Sequence, residues 1–212
     1  MATHYDDEAE LENLKTLWKD NWKSLAAGLV VGLGAILGWQ GWKDYQNRQA
    51  LQASQMYEDM KHALSSSKTG DGIKLGEQLM TEHPGAPYAA AAALKLAAIA
   101  VDQGKLEEAG SRLHWVVQNS GDDGLKQLAR LREARVLWQQ NKLPDALKLL
   151  DNDAGSYAAL YDELRGDIKL AQGDRAGARA SYEKALQTAG DGAAANHDGL
   201  QHKLDDLAEA KS

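Results

Sequence analysis

Residues 103–109 read QGKLEEA, and the pattern returns as QNKLPDA at 140–146 and QGDRAGA at 172–178. The second position is Gly104, then Asn141, then Gly173, at separations of 37 and 32 residues. Glycine and asparagine are the residues that most readily take the left-handed conformation closing a helix. The last position is always alanine (Ala109, Ala146, Ala178), small enough for two helices to meet there. Pro144 falls near the start of a second helix, where its missing N–H costs nothing. Each stretch therefore predicts a helix, a left-handed turn and a second helix.

The flanks agree. Leu106, Ala109, Leu113, Val116 and Val117 recur at helical spacing after the first turn, as do Ala178, Tyr182, Ala185 and Leu186 after the third. Strong helix formers dominate the composition, phenylalanine is absent, and no useful run beyond residue 43 alternates with period two. Upstream, residues 43 to about 65 read as one helix, either continuous with the preceding segment or hinged from it. Ser65 to Gly72 reads as a break, and a short helix is expected from Ile73 to Glu82, stopped by His83-Pro84-Gly85. Residues 191–212 add an amphipathic helix with Leu200, Leu204 and Leu207 on one side, a cap for an open stack.

This array resembles the tetratricopeptide repeat, whose period is about 34 residues. The third unit matches best, through Gly166, Gly173, Ala178, Tyr182 and Ala185; the first matches through Leu96, Ala97, Gly104 and Ala109, the second through Ala134 and Ala146. The aromatic residues expected in first helices are missing, so the repeats are degenerate. The resemblance implies a concave face lined by Leu94, Ala98 and Val101, then Leu131, Arg135 and Trp138, then Glu163, Asp167 and Leu170. That set lacks the Lys and Asn positions with which some repeats clamp a C-terminal carboxylate. It suits an extended or helical segment of another protein; the alternatives are that the C-terminal helix covers it or that these residues are ordinary core.

Far from the repeats, Ser24 to Trp42 (SLAAGLVVGLGAILGWQGW) carries no charge and is flanked by Trp18 and Trp22 before it and closed by Trp39 and Trp42. As a helix it would reach roughly 28 Å, close to the hydrocarbon thickness of a bilayer, with tryptophans at headgroup level. A buried core helix would show a polar face. A signal peptide would start basic and end in a cleavage site, whereas this one starts acidic (Asp6, Asp7, Glu8, Glu10, Glu12) and ends in Trp39-Gln40-Gly41-Trp42-Lys43. Gly28 and Gly32 share one stripe of the helix; Gly34, Gly38 and Gly41 share another, and such spacing lets helices approach closely in lipid. The leader carries Leu11, Leu14 and Trp18 on one face, so it either lies on the membrane and turns in near Asp20-Asn21 or continues straight into the span. Lys15, Lys19 and Lys23 before the span balance Lys43, Arg48 and Lys61 after it, so the charge rule leaves orientation tied.

No pattern of catalytic, metal-binding or phosphate-binding residues emerges. The six histidines are scattered, cysteine is absent, and no HExxH, GxSxG or P-loop occurs. The net charge of −7 argues against tracking nucleic-acid phosphates. The expectation is a protein without cofactor or metal, not an enzyme.

The acidic leader with LKTLWKDNWKSLAAGLVVGLGAILGWQGWKDYQ, the single span and the degenerate repeats together resemble the YfgM family over essentially the full chain. The resemblance implies a single-pass inner-membrane protein of Gram-negative bacteria, with a cytoplasmic N-terminus and a periplasmic repeat domain. Its implied partners are the SecYEG translocon, the periplasmic chaperone PpiD, unfolded secretory clients and membrane lipid. It would work with that chaperone in passing secretory proteins to folding factors. Rival readings are a membrane-tethered scaffold for envelope assembly and a stress-response regulatory adaptor. The expected architecture is all-α: a leader at 1–23, a transmembrane helix at 24–42, a linker helix and degenerate first repeat at 43–86, three tetratricopeptide-like repeats at 87–190 forming an α-solenoid, and a capping helix at 191–212.

Overall fold

The computed structural model describes residues 4–189 and 194–209. Nine α-helices follow one another among the described residues: α1 (His4–Ser65), α2 (Thr69–Glu82), α3 (Pro87–Asp102), α4 (Leu106–Asn119), α5 (Asp123–Gln139), α6 (Leu143–Leu150), α7 (Ala158–Ala171), α8 (Arg175–Ala189) and α9 (Ala194–Glu209). No strand occurs among these residues. The chain divides into two units, 1–51 and 52–212.

In the first unit the backbone is helical through Asp20-Asn21, so the leader makes no turn there and the straight reading is the correct one. The leader's Leu11 and Leu14 side chains lie outside the described residues. All side chains from Ala27 to Arg48 are exposed, with Val31 and Trp39 each at 70%. From Trp22 onward the helix is long and apolar enough to cross a membrane.

The second unit is a stack of helical hairpins: the end of α1 with α2, α3 with α4, α5 with α6, α7 with α8, and finally α9. The predicted turns are left-handed, with φ of 72° at Gly104, 61° at Asn141 and 83° at Gly173. Each closes with the same two bonds. The amide of the left-handed residue donates to the carbonyl three residues back (Gly104 to Val101, Asn141 to Trp138, Gly173 to Leu170, all 2.9 Å). The next amide reaches five back (Lys105 to Ala100 and Lys142 to Leu137, 2.8 Å; Asp174 to Lys169, 2.9 Å), which satisfies helix-end carbonyls.

A fourth copy of this turn ends α1. Ser67 has φ 61°, its amide donates to Leu64, and Lys68 donates to Ala63 at 2.9 Å. Gly72 then falls where Ala109, Ala146 and Ala178 fall in the other copies, and all four are buried. A Cβ on Gly72 would come within 2.6 Å of the Leu64 side chain. The expected start of the second helix at Ile73 is therefore corrected to Thr69: Gly70 and Gly72 belong to α2, and Gly72 is a close-contact residue rather than a loop residue.

Alanine forms much of the core, as at Ala89, Ala90, Ala92, Ala93, Ala97 and Ala100 of α3, all at most 3% exposed. Larger side chains fill the space between hairpins. The Tyr161 hydroxyl of α7 donates to the Gln127 carbonyl of α5 at 2.8 Å, tying successive hairpins together, and burial pushes its pKa up to about 12. On α7, Gly166 faces the Tyr182 ring of α8, which a Cβ there would strike.

Two substitutions test this construction. Replacing Ser67 with Gly removes the cost of a side chain at positive φ and is expected to stabilise the repeat unit by about 0.5–1 kcal/mol. Gly166→Ala forces the Tyr182 ring aside and should destabilise by about 1–3 kcal/mol. Urea unfolding of the detergent-solubilised chain would measure both; an indifferent Gly166→Ala would mean that α7 and α8 do not meet as described.

Candidate partner-binding groove

Three residues of the predicted concave face stand three, six and ten positions before each left-handed turn. In the first hairpin they are Leu94, Ala98 and Val101, and in the second Leu131, Arg135 and Trp138. The structure brings five of these six together. Leu94, Ala98 and Val101 of α3 and Arg135 and Trp138 of α5 line one open groove of about 490 Å³, with Leu113 of α4 and Val136 at its floor. Leu131 is not in it: at 1% exposure it belongs to the core shared with Leu150, Tyr161 and Leu164.

The groove also contains residues the sequence reading passed over: Arg132 and Gln139 on α5 and Asp102 at the end of α3. Arg132, Arg135 and Gln139 are spaced i, i+3, i+7, so their shared face was visible in the sequence. The guanidinium groups of Arg132 and Arg135 have no carboxylate within 4 Å among the described residues, and both side chains are exposed.

The third row is chemically different. Leu170 is exposed, while Glu163 and Asp167 are bound to α9 through Lys203, whose ammonium lies 2.8 Å from Glu163 and 2.7 Å from Asp167. Asp167 also accepts from the Tyr182 hydroxyl at 2.8 Å. Burial opposes the Lys203 charge, yet the two carboxylates outweigh it and hold its pKa above the ordinary lysine value. Burial and the Asp167 contact together raise the Tyr182 pKa. Leu200 and Leu207 seat α9 on Ala178, Tyr182 and Ala185, and Arg175 donates to the Leu207 carbonyl at 3.1 Å. So α9 engages the third row, but among the described residues none of α9 lines the groove between α3 and α5.

The turn at Ser67 reveals a fourth row in the same register, Tyr57, Lys61 and Leu64 on α1. The Tyr57 ring lies 5.8 Å from that of Tyr88, and Lys61 sits 5.4 Å over Tyr57 while pairing with Glu58 at 2.8 Å. Serine is a weak signal for a left-handed turn, which is why this row escaped the sequence reading.

In the first unit, Gly28, Gly32, Gly34, Gly38 and Gly41 have open space around them: a Cβ on any of them would meet no described atom within 4 Å. Among the described residues no group of three or more His, Asp or Glu side chains is placed to hold a metal ion.

Residues 15–209 match the tetratricopeptide repeat-like domain family. An ancillary SecYEG translocon subunit of Escherichia coli (strain K12) is 34% identical over 189 residues, covering 89% of this chain and 91% of that protein. The protein of the same description from Neisseria gonorrhoeae is 32% identical over 212 residues, covering 98% of this chain and 100% of its own. That from Haemophilus influenzae is 30% identical over 189 residues, 89% of this chain and 92% of its own.

The Lys203 bridge has a measurable signature. Lys203→Met removes the ammonium that bridges Glu163 and Asp167 and should cost about 1–2 kcal/mol at neutral pH. Because the folded state raises the Lys203 pKa, its contribution is complete below the unfolded value of about 10.4 and is lost as pH rises through the folded value. The stability gap between wild type and variant should therefore hold from about pH 7 to pH 9 and shrink above about pH 10.5. A gap that is the same at both ends would assign the effect to lost packing instead.

Proposed function

Because this chain belongs to the family of ancillary SecYEG translocon subunits, we propose that it is itself a non-enzymatic accessory subunit of the Sec translocon. The family supplies the translocon. What supports a tethered accessory role is the pairing of one exposed apolar helix, of spanning length, with a separate repeat unit carrying an uncovered groove. In this reading the span sits in the bacterial inner membrane, residues 1–23 lie in the cytoplasm and the repeat unit lies in the periplasm. A short leader is easier to retain than a folded domain of about 160 residues, and the lack of cysteine suits an oxidising compartment.

The glycine stripes supply the contact with the translocon's membrane helices. In lipid the hydrophobic effect gives no drive for helix pairing, so close van der Waals approach at small residues must provide it. Among the described residues nothing packs within 4 Å of where a Cβ on Gly28, Gly32, Gly34, Gly38 or Gly41 would stand, which suits them to that task. The groove between α3 and α5 is the seat of a periplasmic folding factor, the PpiD-like chaperone, so that emerging secretory proteins pass from channel to chaperone. Lipid contacts the span, and unfolded clients are carried by the assembly rather than by a catalytic site.

The two contacts separate experimentally. Gly34→Leu with Gly38→Leu should reduce co-purification with SecYEG in mild detergent by at least tenfold while the repeat unit stays folded. Retained association would remove the role given to the stripe. Ala98→Trp fills the groove from an exposed position and should abolish chaperone co-purification while sparing the translocon.

Orientation is tested with single cysteines in the natural cysteine-free chain. A membrane-impermeant maleimide added to cells with an opened outer membrane should label Ser66→Cys, and Thr3→Cys only after the inner membrane is breached. The reverse pattern would invert the topology.

A further inference from the structure

We propose that the groove between α3 and α5 selects an amphipathic partner segment in which carboxylates flank aliphatic side chains. This rests on the reading of the groove as a partner's seat and specifies the chemistry of what sits there. The floor is aliphatic, made by Leu94, Ala97, Leu113 and Val136, with Trp138 as a partly buried aromatic wall. Such a surface takes apolar anchors from one face of a helix or from alternate positions of a strand.

The rim sets the sign of the charge. Arg132 and Arg135 are exposed there with no carboxylate within 4 Å among the described residues, against Asp102 alone on the other side. A guanidinium offers paired donors that match a carboxylate, so the rim favours an acidic flank and disfavours a basic one. The next row would work against an acidic ligand if Glu163 and Asp167 were uncompensated. Lys203 lies within 2.8 Å of both, so the C-terminal helix offsets one of the two negative charges on the part of the face that would repel such a segment. The cap thereby helps define what the neighbouring groove accepts.

The occupant is a segment of another protein rather than this chain's own α9, which is seated on α8 and has none of its described residues in the groove lining. The probes are two fluorescent 15-residue helical peptides that share leucines at i, i+3 and i+7 and carry either three glutamates or three lysines on the flanking positions. Binding to the full chain in nanodiscs is read by anisotropy at low salt. The glutamate peptide is expected to bind at least tenfold tighter than the lysine peptide, and the double variant Arg132→Glu with Arg135→Glu should reverse the order. Both arginines are exposed, so the variant keeps the fold, which circular dichroism confirms.

No saturable binding of the glutamate peptide, equal binding of the two, or a preference indifferent to the charge swap would each overturn the proposal. Self-association of the chain that disappears with the same swap would put a second copy in the groove and overturn it as well. If the peptide test fails while Ala98→Trp still abolishes chaperone co-purification, the groove remains the partner's seat and only its assigned chemistry is wrong. If Ala98→Trp leaves co-purification intact while the peptides discriminate as expected, the earlier reading fails and the chemistry stands.

Discussion

Everything in the repeat unit depends on one local constraint: a helix must end in a left-handed residue whose neighbouring amides turn back onto helix carbonyls. Ser67, Gly104, Asn141 and Gly173 all meet it with the same two bonds. The turn fixes where the next helix begins, and the small residue five positions later lets the two helices close. Ala109, Ala146, Ala178 and Gly72 all fill that role with little bulk, and at Gly72 even a Cβ would come within 2.6 Å of Leu64. The position at −6 is exposed at Lys61, Ala98 and Arg135, whereas Asp167 of the last turn is bridged to α9 by Lys203. The groove between α3 and α5 follows from the same register, since Val101 and Ala98 before one turn and Trp138 and Arg135 before the next line it.

A core built so heavily from alanine gains little per residue from burial, and its stability comes from close contact between successive hairpins. This is why the larger buried groups matter out of proportion to their number. Tyr161 spans from α7 to α5 with a satisfied hydroxyl. Asp162, 3% exposed, is held by Arg165 on its own helix and by Lys184 of α8 at 3.2 Å, while Arg165 also donates to the Leu150 carbonyl at 2.6 Å. A buried carboxylate so surrounded stabilises one arrangement of α6, α7 and α8 over its alternatives, since a shifted helix would strand the charge.

The sequence made the regular part of this plan legible because glycine and asparagine at a fixed distance before alanine are direct chemical requirements of the turn. The helix of spanning length was legible for an equally direct reason, the absence of charge over 19 residues. The fourth turn was hidden because Ser67 takes a conformation that serine seldom adopts, and because Gly70 and Gly72 look like loop residues until a helix is seen to pass close by. The register placed Leu131 and Leu94 alike, yet one is sealed into a core and the other reaches a groove. That difference arises from the packing of α6 and α7 behind α5, which spacing alone does not encode. The pairing of Lys203 with Glu163 and Asp167 spans about 40 residues of sequence and required the fold to bring it together.

A groove of about 490 Å³ with two rim arginines is a modest binding site, and exposed ion pairs add little each. Taken alone it would hold a partner only weakly. A protein confined to the same membrane as its partners meets a different requirement, because a second contact made after the first is effectively intramolecular and the relevant local concentration rises toward the millimolar range. Weak contacts then suffice for occupancy and still release quickly, as the proposed transfer of clients would demand. On this view the glycine-striped helix and the shallow groove are matched: a tighter groove would slow release, and an untethered one would seldom be filled.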